Sequence, residues 1–79
     1  MPRVTVFHAE DCGLCARALE VVNEAQTELG FELEVVDIGG DQVLEARYRE
    51  LLPAVEIDAE LAFTYFVDAG ALRERLSRS

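Results

Sequence analysis

The chain has 79 residues, 51% of them hydrophobic, and sixteen acids against seven arginines give a net charge of −9. That length supports one domain, 1–79, with a single core and little stability to spare, and the apolar fraction excludes a disordered chain. The acidity argues against nucleic acid or an anionic membrane surface as a partner. The apolar run at the N-terminus is too short for a secretory leader and no stretch reaches the length of a membrane span, so a cytoplasmic monomer is expected.

The segment Arg3 to Phe7, RVTVF, alternates valine with other residues and predicts a first strand. From Gly13 the period changes: Leu14, Ala18, Val21, Val22, Ala25 and Leu29 fall three or four residues apart, on one face of a helix. Asp11 or Cys12 stands at its start, and Gly30 follows as the C-terminal cap. Phe31 to Ile38 alternates again and predicts a second strand with Phe31, Leu33 and Val35 on one face. Gly39-Gly40 breaks the chain, and Asp41 is placed to cap a short second helix that must stop before Pro53.

After the proline, Ala54 to Asp58 and Leu61 to Val67 read as two strands joined by a tight turn near Asp58-Ala59-Glu60. Asp68 can cap a last helix that turns Leu72 and Leu76 inward. The predicted fold class is α/β, in the order β-α-β-α-β-β-α: a four-stranded mixed sheet with three helices on its two faces. The β-α-β unit makes its strands parallel, and the late hairpin adds antiparallel ones.

The two cysteines, Cys12 and Cys15, lie three residues apart where the first strand gives way to the first helix. In a reducing cytosol such a pair is more often catalytic or metal-binding than structural. A cysteine in the first turn of a helix meets unpaired N–H groups and the positive end of the helix dipole, which favour the thiolate. Glu10 and Asp11 oppose this as neighbouring like charges. A second cysteine one turn on is close enough to form a disulfide with the first. Cys12 is therefore expected to attack and Cys15, further in, to resolve.

This order of elements, with Cys12-Gly13-Leu14-Cys15 after the first strand and Pro53 before the third, resembles the thioredoxin superfamily. The small size is most similar to its glutaredoxin branch, and the resemblance covers essentially the whole chain. It implies a cis Leu52–Pro53 bond beside the cysteines and a Leu52 backbone that binds an extended substrate segment. Gly13 and Leu14, between the cysteines, complete the expected substrate contact, with His8 and Asp11 as modulators of the thiolate. No bound cofactor is implied beyond the redox-active Cys12–Cys15 disulfide. The implied partners are protein disulfides and an external thiol donor, either glutathione or a flavin-linked reductase of the thioredoxin-reductase type.

The chain departs from the glutaredoxin pattern in three places. His8-Ala9-Glu10-Asp11 stands where a basic residue is common, and Gly13-Leu14 where Pro-Tyr is common. Phe66-Val67-Asp68-Ala69-Gly70 replaces a Gly-Gly and acidic glutathione motif, with Asp68 alone matching in part. Weak use of glutathione is the expectation.

Two other readings compete. Cys12, Cys15 and His8, with Asp11, offer ligands for a metal or iron–sulfur trafficking module. Structural zinc, however, usually takes four Cys or His ligands, and a ferredoxin-like metal carrier would run β-α-β-β-α-β. The other alternative is a binding domain whose cysteines are incidental. Tyr48 and Tyr65 read as aromatics at the edge of the core, and Arg17 as a surface residue.

Overall fold

The computed structural model describes residues 2–77. Strand and helix alternate in the predicted order: β1 (Arg3–His8), α1 (Gly13–Leu29), β2 (Glu32–Asp37), α2 (Gln42–Tyr48), a 3-10 turn (Arg49–Leu51), β3 (Ala54–Ile57), β4 (Glu60–Thr64) and α3 (Ala69–Ser77). The sheet order is β2-β1-β3-β4, with β1 parallel to β2 and the other two pairings antiparallel.

β1 is paired on both sides, so alternate residues go to two buried faces. Val4 and Val6 point to one face, where they pack with Val22 and Ala25 of α1, Val55 and Ile57 of β3, and Leu72 and Leu76 of α3. Phe7 points to the other, which α2 covers with Tyr48. The rings of Phe7 and Tyr48 stack with centroids 3.9 Å apart. Helices on both faces are thus the direct result of β1's alternation.

The helix ends follow their cap residues. Gly30 adopts φ 73° and its N–H donates to the Gln26 carbonyl at 2.8 Å, the left-handed stop that glycine allows without a Cβ clash. Asp41 Oδ1 accepts from the N–H groups of Val43 and Leu44. Asp68 Oδ2 accepts from Ala71 N–H at 2.9 Å. α2 tightens into the 3-10 turn and ends because Leu52, before proline, must be extended (φ −68°, ψ 139°). Among the described residues no helix is long and apolar enough to cross a membrane.

Three expectations are corrected, and one holds for the face but not for the burial. β2 is shorter than Phe31 to Ile38, with those two residues buried just outside it. Val35 lies on the same face as Leu33, as expected, but is 45% exposed, because β2 is an edge strand only partly covered. Leu14 and Leu29, at the two ends of α1, are 41% and 42% exposed and lie outside the buried core. β4 stops at Thr64 and does not run to Val67, because Tyr65 turns the chain into the left-handed region at φ 66°.

The turn at Asp58-Ala59 is as expected. Both residues have positive φ, 51° and 69°, the conformation that a two-residue hairpin of native twist requires. Asp58 also ties the turn to β1: its N–H donates to the Arg3 carbonyl, and its Oδ1 accepts from Arg3 N–H.

Candidate active site

The end of β1 delivers the chain to the first turn of α1, and Cys12 is the cap of that helix. Its backbone is extended, and its Sγ accepts a hydrogen bond from the Cys15 N–H at 3.2 Å. Serine, threonine, asparagine or aspartate usually serves there. A sulfur in that place is held by the helix's unpaired donors, the interaction that stabilises a thiolate once the pair is reduced. Asp11, the other candidate for the cap, is not used.

Cys12 and Cys15 form a disulfide, with their Cα atoms 5.3 Å apart. The two sulfurs differ in setting. Cys12 is partly exposed, whereas Cys15 is 2% exposed and packs in the cluster of Phe7, Ile38, Tyr48, Leu52 and Ala54. The Leu52–Pro53 bond is cis, and Leu52 shares the apolar cluster of Cys15. Pro53 is fully buried. Among the described residues, no backbone hydrogen bond joins Leu52 to another strand.

The two flanks of the disulfide are chemically unlike. On one side, Ala9, Glu10, Asp11, Asp37, Gly39 and Arg49 line a shallow depression of about 450 Å³. Asp11 is exposed there and pairs with Arg49 at 3.2 Å, while Arg49 also pairs with Glu45. Arg49 thus partly neutralises Asp11. On the other side Leu14 faces Phe66 and Val67 across a smaller groove of about 220 Å³ between α1 and the segment before α3. Gly13 is exposed at the first position of α1.

His8 closes β1, half-buried, and its carbonyl accepts from Ile38 N–H at 2.9 Å. Among the described residues no three of His, Cys, Asp and Glu converge on a point that could hold a metal ion, so His8, Asp11 and the cysteines do not form the ligand set that the metal reading needs.

Three features had no clear signal in the sequence. The Tyr48 hydroxyl donates to Glu56 Oε2 at 2.6 Å beneath the site, and burial followed by this bond raises the phenol above its ordinary range. Arg49 joins Asp11 across 38 positions. Tyr65 donates its N–H to the Pro53 carbonyl and its hydroxyl to the Glu50 carbonyl.

A mixed sheet of this order, with a Cys-x-x-Cys disulfide heading its first helix and a cis proline opening β3, defines a thioredoxin-superfamily protein of glutaredoxin-like type. Residues 3–77 match the glutaredoxin-like domain family (DUF836), and the chain belongs to it. It is 30% identical to the uncharacterized protein Rv0508 of Mycobacterium tuberculosis, over 99% of this chain and 86% of that one. Among solved structures it is similar to protein XcR50 of X. campestris, with TM-score 0.78 and 26% identity over 96% of this chain and 97% of the other. Thioredoxin-2 of the malaria parasite superposes with TM-score 0.82 over 100% of this chain and 84% of its own; at 19% identity that likeness concerns the fold alone. Fold and disulfide together fit thiol–disulfide exchange.

Proposed function

We propose that the protein is a disulfide reductase in which Cys12 attacks and Cys15 resolves. The observation that carries this reading is the unequal placement of one bonded pair: Cys12 caps the helix at the surface, and Cys15 lies beneath it in the apolar cluster. In the reduced protein the Cys12 thiolate attacks one sulfur of a substrate disulfide. A Cys12–substrate disulfide forms, and the other substrate sulfur leaves as a thiolate. The Cys15 thiolate then attacks Cys12 Sγ, reforms the internal disulfide and expels the second substrate thiolate. Two electrons pass from the dithiol to the substrate, whose two sulfurs end as thiols with the protons the dithiol gave up. An external thiol returns the electrons.

The Leu52 backbone, joined to no other strand among the described residues, is the surface on which an extended substrate segment pairs. Gly13 and Leu14 complete the contact, one exposed with no side chain and the other apolar. His8 and Asp11 modulate the Cys12 thiolate from the strand end and the acidic flank. A cytoplasmic monomer of one domain, needing no cofactor beyond the disulfide, fits this chemistry.

The donor assay tests the reading. Reduction of insulin is measured with glutathione and its reductase, and separately with a flavin-linked protein donor. Turnover with the protein donor and little with glutathione is expected, since Phe66 to Gly70 offers only Asp68 of a glutathione motif. Robust turnover with glutathione alone would contradict the choice of donor. No turnover with either donor, or with dithiothreitol, would contradict the reductase reading itself.

A further inference from the structure

We propose that Tyr65 is a positioning residue that holds the Leu52–Pro53 edge at the site, so that an extended polypeptide, and not merely a small disulfide, is a substrate. This rests on the reading that the Leu52 backbone receives substrate. The starting observation is an outlier: Tyr65 is a bulky residue at φ 66°, a region that L side chains other than asparagine and aspartate seldom enter. Such conformations persist only where surrounding bonds over-determine them, and they gather at functional sites.

Here the bonds are explicit. The Tyr65 N–H donates to the Pro53 carbonyl at 3.0 Å, and its hydroxyl donates to the Glu50 carbonyl at 2.8 Å. Both bonds end on one short segment that runs from the 3-10 turn into β3, so one residue brackets Leu52 from both sides in sequence. Ala54 is paired on both sides, but the backbone just before it has fewer ties. Proline brings no N–H, and among the described residues Leu52 is bonded to no other strand. The side chain of Leu52 is held by burial in the cluster that contains Cys15.

A peptide pairing with a backbone edge needs that edge fixed before it arrives, because ordering it on binding would weaken the complex. A small disulfide needs only access to Cys12 Sγ. Tyr65 therefore bears on recognition of polypeptides and not on the exchange chemistry.

The test compares wild type with Tyr65→Phe, which keeps the ring and the backbone bond and removes the hydroxyl bond to Glu50. Both are driven by dithiothreitol on insulin and on bis(2-hydroxyethyl) disulfide. For insulin, KM is expected to rise roughly three- to tenfold, the effect of one neutral hydrogen bond, with kcat nearly unchanged. The rate on the small disulfide is expected to stay at the wild-type value. An unchanged KM for insulin, or equal loss on both substrates, overturns the inference while leaving the reductase reading intact. A wild type that reduces neither substrate overturns both.

Amide exchange in the wild-type protein supplies a check that does not depend on how the variant folds. The Tyr65 amide is expected to exchange as slowly as that of Ala54. Exchange as free as that of an exposed loop amide overturns the clamp.

Discussion

The two faces of the sheet are built for different ends. On the face covered by α1 and α3, valines, leucines, isoleucine and Phe31 meet with no polar side chain buried among them. The other face is covered by the seven-residue α2 and by the 3-10 turn, and it holds a sulfur, a stacked aromatic pair and a phenol bonded to a carboxylate. Non-directional burial imposes no bond angles, whereas hydrogen bonds and stacking fix them. The first face holds the fold together; the second holds Cys15 and Leu52 in register with Cys12.

Truncation on the first face should produce the largest effect on stability and leave the chemistry alone. Leu72 is fully buried between α3, α1 and the sheet. Leu72→Ala is expected to cost about 2–4 kcal/mol, the lost transfer energy plus the cavity left behind. Denaturant unfolding measures it, and the exchange rate of the folded fraction is expected to match wild type. A Leu72→Ala protein of normal stability but low activity would break the division between the faces.

Tyr48→Phe probes the second face and is expected to cost about 1–2 kcal/mol at neutral pH, because Glu56 loses a charge-assisted partner. The sign of its pH dependence follows from the raised phenol. The folded protein holds that proton more tightly than the unfolded chain does, so the contribution is fully present below the ordinary tyrosine range near pH ~10. It is lost as pH rises through the folded value. The stability gap between wild type and Tyr48→Phe should therefore be flat at neutral pH and narrow in alkali. A gap that stays constant to high pH would show that the Tyr48–Glu56 bond does not govern it.

The smallest effect belongs to the hairpin, away from both faces. Ala59→Gly removes a Cβ from a left-handed residue and is expected to stabilise the protein by roughly 0.5–1 kcal/mol, the strain relieved less the extra entropy of glycine. Thermal melting checks the sign. Destabilisation would mean that Ala59 packs in a way its turn position does not require.

Much of this arrangement was legible in the sequence because it is set by short-range rules. The spacing from Ala18 to Ala25, the stop at Gly30, the cap at Asp41 and the break before Pro53 each act within a few residues of where they are written. Cys12 and Cys15 were legible for the same reason, since a strand end and a helix start meet there. What stayed hidden depends on partners far along the chain. Leu61 to Val67 is apolar and aromatic enough to read as one strand, and no glycine marks the left-handed turn at Tyr65. Bonds from Glu50 and Pro53 hold that turn, and no local pattern announces them. Likewise Val35 follows the alternation of a buried strand but lies on the edge, where pairing order decides exposure.

The central claim is that the two sulfurs have different roles, and trapping with single-cysteine variants tests it most directly. Reduced Cys15→Ser and Cys12→Ser proteins are each mixed with oxidised insulin, and the non-reduced products are weighed by mass spectrometry. Cys15→Ser is expected to attack and then stop, giving a mixed disulfide at the summed mass of the protein and insulin, whose chains stay joined by their second interchain disulfide, because no thiol remains to expel the substrate. Cys12→Ser is expected to give none, since Cys15 is buried and the serine hydroxyl is not activated. Equal adducts from both variants, or an adduct on Cys12→Ser alone, would contradict the assignment.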